Sequence, residues 1–178
     1  PEMMWVKNRE QTKDWVVYHK GMNGGTNPSH YHMFLNTNGA EVDEQNIWND
    51  EEPTSTHFTV ATSSKTNSLD KDYIAMLFAS VAGISKCGFY DGSNSEQTIT
   101  TGFQPRFVII KRVNTTGNWV VMDTTRNWGS GNDDYLFLDT NAAQLDAEMG
   151  APTSTGFTVS THGFVSGSGN EFIYYAHA

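Results

Sequence analysis

Two histidines have the spacing of a possible metal site. His30 and His32 flank Tyr31 in a run with the pattern of a β-strand start. Alternate residues of a strand point to the same face, so the two imidazoles would project together, and imidazole is a common zinc ligand. Three chains around an axis would bring six ring nitrogens to one ion. The alternative is a pair of exposed polar side chains, and no other cofactor is expected.

Two tryptophans lie in polar loops rather than in apolar runs. Trp48 belongs to residues 46–49 (NIWN) and Trp128 to residues 126–129 (RNWG). An exposed indole can stack on a sugar ring or anchor a protein interface, and loops carry many binding sites. We therefore predict Trp48 and Trp128 as contacts for a ligand or a protein partner. The alternative is that each indole pins its loop to its own domain.

The acidic residues do not form a recognisable catalytic pair. Residues 50–52 (DEE) and 133–134 (DD) are adjacent carboxylates within single loops, whereas glycosidases place two acids on opposite sides of the scissile bond, about 5–9.5 Å apart. No Gly-x-Ser-x-Gly motif is present, and Cys87 has no histidine at a characteristic spacing. We predict no enzymatic activity and no catalytic residues, with a polysaccharide depolymerase as the outside alternative.

The composition disfavours several further classes of protein. The 178 residues carry a net charge of −9, which disfavours sequence-independent binding to nucleic acid phosphates or to an anionic membrane surface. No apolar run approaches the roughly 20 residues needed to cross a bilayer. Cys87 is the sole cysteine, so no intrachain disulfide can form. Stability must then come from core burial, from oligomerisation or from both.

The sequence contains an internal repeat. Residues 53–60 (PTSTHFTV) and 152–159 (PTSTGFTV) differ at one position only. Residues 33–43 (MFLNTNGAEVD) align with residues 136–146 (LFLDTNAAQLD), and further matches keep the same order along the chain. An ordered series of matches at a nearly constant offset indicates two diverged copies of one structural unit.

The repeat predicts a first unit of residues 1–82 and a second unit of residues 83–178, with one fused sandwich over residues 1–178 as the alternative. Both units consist of short runs rich in Val, Ile, Phe, Tyr and Trp that are bounded by turn residues, a pattern typical of strands. Helical patterning is weak, and the best candidates are residues 40–47 and 142–149, each with one or two turns at most. We predict an all-β fold, an antiparallel β-sandwich of the jelly-roll or concanavalin-like kind.

The second unit has predicted strands that the first unit lacks. Residues 85–90 and 97–103 lead into Pro105, and nothing equivalent precedes its counterpart, Pro1. The first unit is therefore expected to be incomplete at its start and to be part of a longer protein. Because unpaired strand edges promote aggregation, we expect it to borrow strands from the second unit, from a partner chain or from a preceding segment.

Five segments resemble a domain of unknown function that recurs in tandem in proteins of tailed phages. They are residues 1–10 (PEMMWVKNRE), 14–25 (DWVVYHKGMNGG), 46–60 (NIWNDEEPTSTHFTV), 85–95 (SKCGFYDGSNS) and 101–112 (TGFQPRFVIIKR). Proteins with this domain include tail fibres and other virion components, many from marine or cyanobacterial phages. The resemblance brings no agreed catalytic residues, so it assigns none.

The resemblance implies a non-enzymatic structural protein on the surface of a phage particle. We expect a tail-fibre or receptor-binding module that contacts a host surface glycan or protein, with a capsid decoration or cement protein as the alternative. The expected partners are other virion proteins and further copies of the chain, with a trimer favoured because elongated fibres form about three-fold axes. Neither nucleic acid binding nor membrane insertion is expected.

Overall fold

A computed structural model of the chain describes all residues from Pro1 to Ala178. It contains fourteen β-strands, the four-residue helix α1 (Gln45–Trp48) and three 3-10 turns, so the predicted all-β fold is confirmed. The strands are β1 (Met3–Asn8), β2 (Val16–His19), β3 (Tyr31–Phe34), β4 (Val42–Asp43), β5 (Tyr73–Phe78), β6 (Ser85–Asp91), β7 (Gln97–Thr100), β8 (Phe107–Arg112), β9 (Trp119–Asp123), β10 (Asp133–Phe137), β11 (Leu145–Ala147), β12 (Pro152–Thr153), β13 (Gly156–Val159) and β14 (Glu171–His177).

The strands form three antiparallel sheets. The first sheet has the order β4-β3-β2-β1-β5 and lies within the first unit. The second unit forms a six-stranded central sheet, β11-β10-β9-β8-β14-β6, and a three-stranded outer sheet, β12-β13-β7. The lead-in strands β6 and β7 therefore enter different sheets, and each adds one strand to the edge of its sheet.

The central sheet is covered on both faces. Val108 and Ile110 of β8 pack with Phe157 of the outer sheet, whereas Ile109, between them, packs with Val17 of the first sheet. Strands buried on both faces are apolar at consecutive positions. This packing is therefore the physical reason for the uninterrupted apolar run in β8.

The outer face of the first sheet is covered differently. Met4 of β1 and Tyr18 of β2 pack against Ile47 and Trp48 of α1 in a separate hydrophobic cluster. The segment that follows, residues 49–72, contains no strand. One short helix and a coil therefore replace the layer that the outer sheet provides in the second unit.

Buried polar groups tie the two units together. The Trp119 indole Nε1 donates to the Phe34 carbonyl at 3.0 Å. The Lys111 ammonium is fully buried and donates to the Gly39 carbonyl at 2.9 Å, and burial lowers its pKa to about 8. These bonds cross from the central sheet to the first unit, so the two units share a polar as well as an apolar contact.

His19 forms a further link between the units. It is fully buried, its Nδ1 accepts the Gly21 N–H at 3.0 Å, and its Nε2 lies 3.2 Å from the Tyr174 carbonyl. This arrangement requires the proton on Nε2, which donates across the interface. Burial lowers the pKa of His19 to about 4, so the imidazole is neutral near pH 7.

The two units share a strand order. The order β4-β3-β2-β1-β5 corresponds strand for strand to β11-β10-β9-β8-β14, which is consistent with the predicted repeat. The orders diverge after the fifth strand, because β14 pairs with β6 on its other side whereas β5 has no second neighbour. The first unit does not borrow a strand from the second at this edge.

The predicted helical turn in residues 142–149 is wrong. This stretch contains β11, whose Leu145 lies opposite Tyr135 of β10. Pairing with a neighbouring strand outweighs a weak local preference for helix. The other candidate, residues 40–47, contains the end strand β4 and the start of α1. No helix in the chain combines the length and the apolar character that a membrane crossing requires.

Candidate functional site

The structure places both predicted tryptophan contacts in the core. Trp48 is 1% exposed and packs edge-to-face on Tyr18, with ring centroids 6.2 Å apart. Trp128 is 2% exposed, and its Nε1 donates to the Gly150 carbonyl at 2.8 Å. The premise that these loop indoles are exposed is wrong. The alternative describes them, since each indole pins its loop to its own domain.

The two histidines of the predicted metal site do not share an exposed strand face. His30 ends a 3-10 turn, and only His32 lies in β3. His32 is 1% exposed, its Nε2 lies 3.8 Å from Glu44 Oε2, and burial lowers its pKa. A buried imidazole cannot reach an ion on an axis between chains, so the premise of this prediction is wrong. No cluster of three or more His, Cys, Asp or Glu side chains forms a metal site within the chain.

The acidic residues hold loops in place. The buried Asp133 carboxylate accepts the Gly129 N–H at 2.8 Å and the Met149 N–H at 2.9 Å, and burial raises its pKa. Glu52 accepts the hydroxyl of Tyr18 at 2.7 Å. These carboxylates stabilise the loops around β10 and α1, and the contacts that they make are structural.

The largest concave surface lies on the first unit, where α1 meets residues 59–67. It encloses about 420 Å³, and six of its eight lining residues carry amide or hydroxyl side chains. We name it the amide pocket. It is lined by Gln45, Asn46, Asn49, Thr59, Val60, Ala61, Thr62 and Asn67.

The helix α1 forms one wall of the amide pocket. Ile47 and Trp48 are buried and anchor α1 to the first sheet, which leaves Gln45, Asn46 and Asn49 on the solvent side. Asn49 ends the helix in the left-handed region, with φ of 61°, a conformation that asparagine tolerates better than most residues. The buried pair therefore fixes the direction in which the three amides point.

Hydrogen bonds join the second wall to the first. The Ala61 N–H donates to the Ile47 carbonyl and the Ser63 N–H donates to the Asn46 carbonyl, both at 2.9 Å. Asn67 Nδ2 donates to the Ala61 carbonyl at 2.9 Å. The two walls are therefore held at a fixed separation by the backbone, and the pocket is preformed.

Two of the lining amides, Gln45 and Asn46, are available to a ligand. Gln45 makes no side-chain hydrogen bond within the protein, and Asn46 receives only a long bond of 3.4 Å from the Thr62 hydroxyl to its Oδ1. A side-chain amide offers two donors and one acceptor oxygen. This combination suits a neutral ligand rich in hydroxyl groups better than it suits a charged one.

The amide pocket is not predicted by the sequence. Part of its signal is present in residues 45–49 (QNIWN), where three amide side chains flank an apolar pair. That pattern gives an anchored turn with exposed amides once the apolar pair is assigned to the core. The other wall could not be inferred, because it depends on the path of residues 49–72, which have no regular structure.

Comparisons with curated proteins and with solved structures found no match. A comparison with protein-family models did find one. The model described as Domain of unknown function (DUF7483) matches residues 1–178, the whole length of the chain. The chain therefore belongs to the DUF7483 family.

Proposed function

We propose that this chain is a non-enzymatic module of a phage virion, a tail-fibre or receptor-binding module that contacts host surface glycan through the amide pocket. The observation that supports glycan binding is the lining of the pocket, in which amides and hydroxyls outnumber apolar side chains. The virion location is supported by the sequence resemblance to tandem domains of tailed-phage proteins. A trimer is the assembly that suits a fibre.

The geometry suits recognition rather than cleavage. The amides on α1 are exposed, but the helix itself is fixed by Ile47 and Trp48. A preformed site loses little conformational entropy when a ligand binds. Sugar hydroxyls both donate and accept hydrogen bonds, which matches the dual character of Gln45 and Asn46.

A glycan array probed with the full chain tests this proposal. We expect binding to one class of host envelope polysaccharide, and at least about tenfold weaker binding after Gln45→Ala with Asn46→Ala, since two side-chain hydrogen bonds are lost. Asn141→Ala, an exposed amide of the second unit, is the matched control and should bind normally. No binding to any envelope component would contradict the proposal.

A second candidate is a capsid decoration or cement protein. The observation that favours it is the apolar, exposed strand β5, where Leu77 is 53% exposed, because such surfaces mark contacts with other proteins. Binding of the chain to assembled capsids, with no binding on the glycan array, would favour this candidate. Shortening of host polysaccharide on incubation with the chain would instead favour the depolymerase alternative.

A further inference from the structure

Strand β5 is an unprotected sheet edge. It pairs only with β1, and all six of its residues are apolar or aromatic (YIAMLF). Ile74, Met76 and Leu77 are 40%, 39% and 53% exposed. Natural proteins usually protect such an edge with charges, prolines or bulges, and β5 contains no charged residue or proline. The edge therefore has the properties of one that accepts a further strand.

The backbone register shows which groups of β5 are free. The Arg9 N–H donates to the Asp72 carbonyl at 2.9 Å. In an antiparallel ladder, alternate residues bond to the same neighbour, so the even-numbered residues of β5 face β1. The N–H and C=O groups of Tyr73, Ala75 and Leu77 face the open side and have no backbone partner.

The second unit shows what occupies the equivalent edge. The Val113 N–H donates to the Glu171 carbonyl at 2.9 Å on one side of β14, and the Gly92 N–H donates to the Asn170 carbonyl at 2.8 Å on the other. The even-numbered residues of β14 therefore bond to β6. They are Phe172, Tyr174 and Ala176, which correspond in sheet position to Tyr73, Ala75 and Leu77.

A groove adjoins the free edge. It encloses about 340 Å³ between Leu77 of β5, Pro1 and residues 55–58. In the second unit the lead-in residues Ile99 and Phe103 are 9% and 8% exposed and form part of the core beside β14. The first unit thus has an open edge and an open groove on the side where the second unit has its lead-in strands.

We propose that the free edge of β5 receives one antiparallel strand with the pattern of β6, supplied by a further unit of this family and not by a second copy of this chain. The backbone groups of Tyr73, Ala75 and Leu77 bond to this strand as β14 bonds to β6. The docked strand continues the first sheet to six strands and covers the exposed apolar side chains of β5. It completes the same order that the central sheet has.

Only a strand equivalent to β6 docks on the first unit; a strand equivalent to β7 does not. At Gly156 an added Cβ would lie 2.0 Å from the Ile99 carbonyl oxygen, so β7 approaches β13 closely only because that residue is glycine. The first unit has His57 at this position of the repeated motif. A strand equivalent to β7 is therefore blocked from residues 57–60, and the site on β5 is the one that remains.

Duplicating residues 83–104 in front of Pro1 of the full chain tests the proposal. The copied segment then joins Pro1 as the original joins Pro105. We expect the amides of Tyr73, Ala75 and Leu77 to exchange hydrogen about tenfold or more slowly than in the unmodified chain, and the protein to be monomeric by light scattering.

The matched control replaces Gly88 and Tyr90 by proline in the grafted copy of the segment only. This removes the two N–H donors that would face β5. This control should leave the exchange of the three β5 amides unchanged. The amides of Phe172, Tyr174 and Ala176 report in both proteins that the second unit is folded.

A peptide of residues 83–95 with Cys87→Ser, added to the unmodified chain, provides a second measurement and should protect the same three amides. The proposal is overturned if neither the graft nor the peptide slows their exchange. It is also overturned if the unmodified chain forms a dimer that protects them, because a second copy would then be the occupant.

Discussion

Residues 53–60 and 152–159 share seven of eight side chains and differ in structure. Residues 152–159 contain the β12 and β13 strands of the outer sheet, and β13 pairs with β7. Residues 53–60 form a coil whose single backbone–backbone hydrogen bond runs from the Thr54 N–H to the His57 carbonyl at 2.8 Å. The same local sequence therefore becomes strand only where a partner strand is present, so strand formation here is decided by tertiary contact.

The largest expected difference concerns the shared phenylalanine of this motif. Phe157 is fully buried in the core of the second unit, whereas Phe58 is half-buried at the margin of its cluster. Phe157→Ala should lower the free energy of unfolding by about 3–5 kcal/mol, and Phe58→Ala by about 1–2 kcal/mol. Urea denaturation of both variants measures the contrast. Equal losses would show that the two motifs are packed alike.

The single difference within the motif can be exchanged between the units. Gly156→His should lower the free energy of unfolding by about 3 kcal/mol, because the new Cβ would meet the Ile99 carbonyl oxygen and push β7 away. Hydrogen exchange of Gln97–Thr100 should accelerate. The reciprocal change, His57→Gly, should alter stability by less than about 1 kcal/mol. A well-protected β7 in Gly156→His would contradict this account.

The contact between the units should weaken in acid. The pKa of His19 is about 4 in the folded chain and 6.5 when unperturbed, so the unfolded chain takes up the proton first as the pH falls. Stability from His19 is complete above pH 6.5 and is lost progressively towards pH 4, with about 2 kcal/mol lost by pH 5. Denaturation between pH 7 and pH 4.5 measures the slope.

His19→Gln is the control for the acid experiment. It should reduce the slope and leave a smaller one from His32, whose pKa is also lowered by burial. A slope that is unchanged in His19→Gln would place the acid sensitivity elsewhere in the chain.

The smallest expected effect lies at the free edge. Leu77→Thr should change the free energy of unfolding by less than about 0.5 kcal/mol, because Leu77 is 53% exposed. Its counterpart in sheet position, Ala176, is fully buried beside β6, and Ala176→Thr should cost about 1–3 kcal/mol. Thermal denaturation of the Leu77→Thr and Ala176→Thr variants decides whether the β5 edge is open in solution.

The sequence predicted the strands better than it predicted their environment. The runs of Val, Ile and aromatic residues mark strands of the central sheet such as β8, β9 and β14, because these strands are covered on both faces. Residues 14–18 (DWVVY) align with residues 118–122 (NWVVM), but this match could not show that Trp119 is buried between sheets while its counterpart Trp15 is only partly buried. That difference depends on the two units packing face to face, which no local pattern records.

The candidate site was less predictable than the fold. Trp48 and Trp128 were predicted to be exposed because their neighbours in the sequence are polar. Those neighbours are exposed because the indoles beside them are buried. His32 was predicted to share an exposed face with His30 because alternate residues of a strand point the same way. Both faces of β3 are covered, so alternation does not imply exposure. The amide pocket depends on how coil residues 59–67 approach α1, and coil paths are set by tertiary contacts rather than by periodicity.

The position of β14 between β6 and β8 has a consequence for synthesis on the ribosome. The first sheet can close once Phe78 has emerged, whereas β6 and β8 gain their shared neighbour only after Glu171 to His177 are made. At about 5–20 residues per second, translation of the intervening chain takes on the order of seconds. During that interval the apolar residues of β8 can pack on the first sheet, which would already be folded. The first unit would thus act as a scaffold that shields the nascent second unit.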